Sequence, residues 1–156
     1  MDEILAAVAA SDVATALRMS RWGYAAVNTA HVLGIALLVG GIVPLDLRLL
    51  GLWPGVARDG LVRTLVPVAA TGLGLAVTTG AFLFSVRAPE YAALTVLQIK
   101  LALVVLGGGS AIALHLVHGF MLETASSARL ARAGALSMTC WLGALIAGRM
   151  IAFAGD

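Results

Sequence analysis

Four long stretches without a charged side chain constrain the fold of this 156-residue chain more than any other feature. They cover residues 22–45, 64–86, 101–122 and 133–148. About 20 apolar residues in a helix cross the roughly 30 Å hydrocarbon layer of a bilayer, so the first three stretches are long enough alone. The fourth is long enough if Arg149 lies near its helix end and extends its side chain to the interface.

The composition supports the same interpretation. Hydrophobic residues make up 61% of the chain and charged residues 12%, with a mean hydropathy of +1.02. Soluble domains have about 45–50% apolar and about 25% charged residues. We therefore predict an all-α, polytopic membrane protein with a four-helix transmembrane bundle in residues 21–156. The predicted spans are about 22–45, 64–86, 97–121 and 133–153.

Residues 1–20 are too polar to span a membrane and begin with acidic residues, unlike a signal peptide. Ser11 has the pattern of an N-cap that opens a short helix, and Ser20 is placed to cap the first span. We expect an amphipathic, interfacial segment with one or two short helices. A partly ordered tail is the alternative.

The charges exclude some classes of partner and leave the orientation open. The net charge is +2 and the basic residues are scattered, so no nucleic-acid partner is predicted. Five Lys or Arg residues fall on each side of the membrane in the predicted topology. The positive-inside rule therefore does not distinguish the two orientations. Because Lys100 and Arg149 lie within helices rather than loops, we favour termini outside. One cysteine, Cys140, excludes an intramolecular disulfide.

His31 interrupts the first uncharged stretch. Ionisable residues inside a membrane are rare and usually functional, so His31 is a candidate ligand. On a helix, Asn28 lies one turn away and is expected to hold one ring nitrogen, while Gly34 leaves room for a flat ligand. The alternative is a packing histidine that bonds to a carbonyl group across the bundle.

The third span carries polar side chains on a face of small residues. At 100° per residue the stripe contains Lys100, Gly108, Ala111, His115, His118 and Gly119. The alternatives are helix packing for the glycines, snorkelling for Lys100 and solvation for His118 near the interface. We predict an intramembrane site that combines this stripe with the first span. Its predicted cofactor contacts are His31, His115, Lys100, Asn28, Gly34 and Gly108, and its candidate metal ligands are His31, His115 and His118.

Other polar and small residues are predicted to be structural. Two stripes are expected to face the bundle interior: Thr71, Gly74 and Thr78 in the second span, and Cys140, Gly143, Ala147 and Met150 in the fourth. Asp46 and Arg48 end the first span and are expected to pair near the interface, with Arg63 nearby.

Three sequence blocks carry a family resemblance: "HVLGIALLVGGIVPLDLRLLG", "TGLGLAVTTGAFLFSVRAPEYAALTVLQIKLALV" and "AIALH". They resemble a largely uncharacterised family of small bacterial integral membrane proteins. That family is similar to the copper-resistance D-like proteins and, distantly, to four-helix membrane b-type cytochromes. The resemblance covers about residues 22–118. It implies a four-helix bundle in the bacterial inner (cytoplasmic) membrane, with His31, Lys100 and His115 at the matching positions.

The leading functional hypothesis is haem b binding and electron transfer. Two histidines on facing helices commonly hold haem in a bundle, glycines make room for it, and Lys100 or the arginines can pair with its propionates. The register argues against a simple pair, because the depths of His31 and His115 differ by on the order of 10–20 Å at 1.5 Å per residue.

Several alternatives stay open. Copper handling by His115, His118 and Met121 is one, since imidazole and thioether suit Cu(I). The chain can also be an accessory subunit of a larger membrane complex, or a homo-oligomer. A further alternative is a quinone or lipid pocket at His31 and Lys100. A redox partner is possible but is not identified by the sequence. A transporter is disfavoured because no acidic residue lies mid-span. Hydrolysis is disfavoured because no Ser, His and Asp set is found.

Overall fold

The structure is a computed structural model that describes residues 2–154. These residues form seven α-helices and one 3₁₀ turn, with no strand among them. The helices are α1 (Asp2–Ala9), α2 (Asp12–Met19), α3 (Arg21–Leu49), α4 (Arg58–Ser85), α5 (Ala88–Ala93), α6 (Thr95–His118) and α7 (Ser127–Met150), and the 3₁₀ turn Ile151–Phe153 continues α7. Four of them, α3, α4, α6 and α7, are long and apolar enough to cross a membrane. This confirms the predicted all-α, four-helix, multi-pass membrane protein.

Three helices extend well beyond their predicted spans at one end. Helix α3 continues to Leu49, α4 begins at Arg58 and α7 begins at Ser127. The predicted spans were too short there, since charges mark where the apolar segment stops rather than where the helix does. Helix α6 ends earlier than predicted, at His118, because Gly119 has a φ of +75° and its left-handed backbone ends the helix.

Residues 2–9 and 12–19 form two short helices, so the tail alternative is wrong for them. Both predicted caps are confirmed: the Ser11 hydroxyl accepts the N–H of Ala14, and the Ser20 hydroxyl accepts the N–H of Gly23. The Arg18 guanidinium donates to the carbonyl oxygen of Ala9 at 2.7 Å and to that of Val86 at 3.0 Å. These bonds fasten α1 and α2 to the end of α4.

Helix α3 packs against α4 and α7, and α6 packs mainly on α7. The closest approach is the crossing of Gly34 on α3 and Gly72 on α4. A Cβ added at Gly34 would lie 2.9 Å from the Gly72 carbonyl oxygen, and one at Gly72 would lie 2.7 Å from that of Gly34. Only glycine permits such contact between backbones. Gly34 is therefore a packing residue, and the prediction that it makes room for a ligand is wrong.

A buried hydrophobic cluster lies at the middle of the bundle. Its buried members are Leu38, Ala69 and Trp141, with Leu73 and Val104 packed against them. The two Leu residues and Trp141 recur in the walls of the cavities described below. Helices α4 and α6 do not pack closely on each other, so the space beside this cluster is not closed on that side.

The two small-residue stripes have different outcomes. Thr71, Gly74 and Thr78 are exposed on α4, so the prediction that they face the interior is wrong. The Thr71 and Thr78 hydroxyls donate back to carbonyl groups of their own helix, which satisfies them without a partner helix. On α7, Cys140 and Ala147 are buried as predicted, although Met150 at the helix end is exposed.

Candidate functional site

Two cavities lie between the spanning helices, and the predicted site residues are divided between them. The first, called here the histidine–lysine cavity, has a volume of about 640 Å³ and is lined by His31, Lys100 and Arg149. The second, the aspartate cavity, has a volume of about 430 Å³ and is lined by Asp46, His115 and Ser137. All four spanning helices contribute to both. Three side chains line both cavities and form the wall between them: Leu38, Leu73 and Trp141.

The first cavity lies toward the chain termini. His31 is in the first half of α3, Lys100 is in the second turn of α6, and Arg149 is at the end of α7. Helices α3 and α6 run parallel while α7 runs antiparallel to them, which brings these three positions to the same end of the bundle. Asp46 and His115 lie near the far ends of α3 and α6, so the aspartate cavity is at the opposite end.

The His31 ring is held by Thr79 of α4. Its Nδ1 lies 3.1 Å from the Thr79 hydroxyl oxygen, and that hydroxyl donates its own proton to the Leu75 carbonyl oxygen at 2.6 Å. The hydroxyl therefore accepts from His31, so the proton of the neutral imidazole is on Nδ1. Nε2 then carries a lone pair and makes no hydrogen bond within residues 2–154. This is the tautomer that binds a metal or accepts a proton donor.

The predicted neighbours of His31 have other roles. Asn28 lines the same cavity, but the prediction that it holds the ring is wrong, because Thr79 does so. The glycine beside the ring is Gly80 of α4, where an added Cβ would lie 3.1 Å from His31 Cε1. Sequence reasoning missed Thr79 and Gly80 because both belong to another helix. Thr79 follows the small residues Gly72 and Ala76 at helical spacing, and this spacing was the available signal.

Lys100 and Arg149 give the histidine–lysine cavity its charge. The half-buried Lys100 side chain lies over Gly148, where an added Cβ would be 3.4 Å from Nζ. No Asp or Glu of residues 2–154 lines this cavity. Two cations and one imidazole therefore face an otherwise largely apolar space. Such a space can hold a molecule with an apolar body and an anionic or hydrogen-bonding group.

His115 lies in the aspartate cavity with Gly108 and Ala111, as the α6 stripe predicted for these three. Its Nδ1 is 3.1 Å from the Phe120 carbonyl oxygen, and its ring stacks on Phe120 at a centroid distance of 5.6 Å. A carbonyl only accepts, so Nδ1 carries the proton. The structure does not bring His115 together with His31 and Lys100, and the predicted three-residue site is therefore wrong.

Asp46 is buried, with 3% of its surface exposed. Arg48 instead donates to the carbonyl oxygens of Val56 and Pro54, so the predicted pairing of Asp46 with Arg48 is wrong. In residues 2–154 the ion pairs are Arg58–Asp59 and Arg87–Glu90, and neither includes Asp46 or Arg63. The Asp46 Oδ2 atom is buried without a hydrogen-bond partner in that part of the chain.

His118 is buried, so its predicted solvation is wrong. The Arg129 guanidinium donates to its Nε2 at 3.1 Å, and its Nδ1 then donates to the Thr124 hydroxyl at 2.8 Å. With both nitrogens engaged, His118 joins α6 to the start of α7 and offers no lone pair to a metal. His31 lies at the other end of the bundle from His115 and His118, and no group of three His, Cys, Asp or Glu side chains suited to a metal ion occurs in residues 2–154.

No protein-family model, curated protein or solved structure matches this chain.

Proposed function

We propose that the protein binds haem b in the histidine–lysine cavity and transfers electrons within the membrane, with His31 as the side chain that would hold the haem iron. One observation carries the proposal. The Nδ1 proton of His31 is fixed on Thr79, so Nε2 offers a lone pair at an apolar cavity that also contains two cations.

The donor chemistry fits haem iron. Metal-bound histidines almost always donate their second ring N–H to an acceptor, which fixes the tautomer and the ring orientation. Thr79 supplies that acceptor, and Gly80 leaves the ring edge free of a side chain. When bound, haem supplies reversible one-electron chemistry, and the protein sets its potential through the ligand, nearby hydrogen bonds and burial.

The remaining lining fits the rest of the haem group. Its two propionates are anionic, and Lys100 and Arg149 are the cations available to them in this cavity. The macrocycle is apolar, and most of the lining is aliphatic. The volume of about 640 Å³ lies in the range of cofactor pockets, roughly 300–1,000 Å³.

The proposal uses one protein ligand rather than two. His115 lies beyond the wall of Leu38, Leu73 and Trp141, in the other cavity. A bis-histidine site that joins His31 to His115 would require that wall to be removed. Copper has less support, since the candidate ligands are dispersed and His118 has no free nitrogen.

A quinone is the second candidate for the same cavity. The loose packing of α4 on α6 leaves that side open, which favours entry of an isoprenoid-tailed molecule from the bilayer. Lys100 can donate to a quinone carbonyl, and His31 Nε2 can accept from a quinol hydroxyl.

The test is a visible absorption spectrum of detergent-purified protein, oxidised and dithionite-reduced, with iron analysis and solvent extraction of the same sample. We expect a Soret band, a reduced α-band at the b-type position and about one iron per chain, as one ligand set implies. Colourless, iron-free protein that takes up no added haemin would contradict haem binding. Quinone in the extract of such a sample would then support the second candidate.

A further inference from the structure

We propose that the aspartate cavity binds a protonated organic amine with an apolar body, with Asp46 as its counterion and His115 Nε2 as a hydrogen-bond acceptor. This site is separate from the histidine–lysine cavity, and the proposal does not depend on haem binding.

The Asp46 carboxylate has no cation beside it. Asp46 lines the cavity with 3% of its surface exposed; the Ser137 hydroxyl lies near its carboxylate, but its Oδ2 has no hydrogen-bond donor in residues 2–154. No Lys, Arg or His in that range lies within 4.0 Å of it as an ion-pair partner. An ionised buried carboxylate without a cationic partner costs several kcal/mol, so proteins pair such groups or keep them protonated. A cationic ligand in the adjoining cavity is the missing partner.

Two other polar groups of the cavity, His115 and Ser137, can accept hydrogen bonds, while in residues 2–154 the Nε1–H of Trp141 is a buried donor without an acceptor. The Nδ1 proton of His115 is donated to the Phe120 carbonyl oxygen, which leaves Nε2 of the neutral ring as an acceptor. The half-buried Ser137 hydroxyl also lines the cavity, and no Lys or Arg of the described residues does. A primary ammonium group has three N–H donors and no acceptor, which matches this set.

The rest of the lining is aromatic and aliphatic. Trp141 and Phe120 present aromatic rings, which attract cations, and the remaining surface is almost entirely aliphatic. A cavity of about 430 Å³ holds a small drug-sized molecule. The apolar body of an amine fills this space and the ammonium group meets Asp46.

An inorganic cation fits less well. Ca²⁺ and Mg²⁺ need about six oxygen ligands, some of which can be waters. No group of three candidate ligand side chains exists in residues 2–154. Its unused coordination positions would face aliphatic side chains. An organic ammonium ion has no such requirement, because its body is itself apolar.

The experiment measures equilibrium binding of radiolabelled 4-phenylbutylammonium to the full chain in detergent, with neutral 4-phenyl-1-butanol as competitor. We expect saturable binding that the alcohol does not displace at equal concentration. Asp46→Asn should weaken binding by about tenfold or more, since it leaves the ammonium without its counterion. Asp59→Asn, which changes an exposed carboxylate outside the cavity, should bind like the parent protein.

A second variant keeps the test decisive if Asp46→Asn does not fold. Ala111 is half-buried and lines the cavity, so Ala111→Phe should fill the space and block the amine while leaving the carboxylate in place. The proposal is overturned if the parent protein shows no saturable binding, if the alcohol competes equally, or if sodium or potassium displaces the amine at equal concentration. Unchanged binding in folded Asp46→Asn or Ala111→Phe protein would also overturn it.

Discussion

The two cavities are built from the same four helices, but the charged side chains that line them have opposite sign. The histidine–lysine cavity contains two cations and no carboxylate among the described residues, whereas the aspartate cavity contains a carboxylate and no Lys or Arg. Each also has one histidine whose Nδ1 proton is fixed by a neighbour, Thr79 for His31 and the Phe120 carbonyl for His115. Both imidazoles thus have the same tautomer, with a free Nε2. We assign different ligands to the two cavities because the charges around the rings differ.

The difference follows from helix register. Lys100 and His115 share one stripe of α6, but fifteen residues at 1.5 Å each place them about 22 Å apart along the axis. Chain positions that coincide on a helical wheel are therefore divided between opposite ends of the bundle. The wall of Leu38, Leu73 and Trp141 makes that division a physical barrier.

Removal of the wall is expected to have the largest effect. Trp141 is buried, packs over Gly107 and lines both cavities, so Trp141→Ala should join them and lower the free energy of unfolding by about 3–5 kcal/mol. Thermal or denaturant unfolding in detergent measures this. Trp22→Ala, at an exposed indole, is the control and should change stability little. Equal stabilities for the two variants would contradict the assigned wall.

Displacement of the His31 ring comes next. A Cβ added at Gly80 would lie 3.1 Å from His31 Cε1, so Gly80→Leu should push the ring aside and lower haem affinity by about 100-fold. Haemin titration followed by the Soret band measures the affinity. Gly74→Leu is the matched control, because an added Cβ there meets nothing within 4 Å. If both leucine variants bind haemin like the parent protein, Gly80 does not border the site.

Loss of the hydrogen bond to His31 should have a smaller effect. Thr79→Val keeps the shape of the side chain but removes the acceptor that fixes the Nδ1 proton, and such changes cost about 10–100-fold in metal affinity. Thr78→Val, next to it but facing outward, is the control. A Thr79→Val protein with parental haemin affinity and midpoint potential would contradict the tautomer assignment.

Neutralisation of one cation should have the smallest effect. Lys100→Gln removes one of the two cations that we propose pair with the haem propionates, and it should weaken haemin binding by about tenfold, the value of one charge-assisted hydrogen bond. Binding of 4-phenylbutylammonium should stay unchanged in the same variant, because Lys100 does not line the aspartate cavity. A loss of amine binding would show that the two cavities are not independent.

The sequence was sufficient to predict the fold, because a bilayer requires long apolar helices and the uncharged stretches reveal them. Helix ends were less predictable. Charged residues at the loop ends of α3, α4 and α7 remain helical, while Gly119 ends α6 through its backbone conformation.

The site was predictable only in part. His31, Lys100 and His115 stand out because polar groups are rare in spans, but no local pattern tells which of them share a cavity. Asp46 was assigned to the interface because it precedes Arg48. Its position one turn from the buried Leu49 and the half-buried Ile42 was the signal that it faces inward. Thr79 could not be paired with His31 without the crossing of α3 and α4 at Gly34 and Gly72.

The central claim is that haem binds at His31 and not between His31 and His115. The most direct test is the dithionite-reduced spectrum of His31→Ala and His115→Ala proteins, each purified from the same cells as the parent protein and normalised to protein amount. The account predicts that His31→Ala loses the Soret band while His115→Ala keeps it at full height. Loss of the band in both variants would indicate a shared bis-histidine site, and its retention in His31→Ala would contradict the assignment.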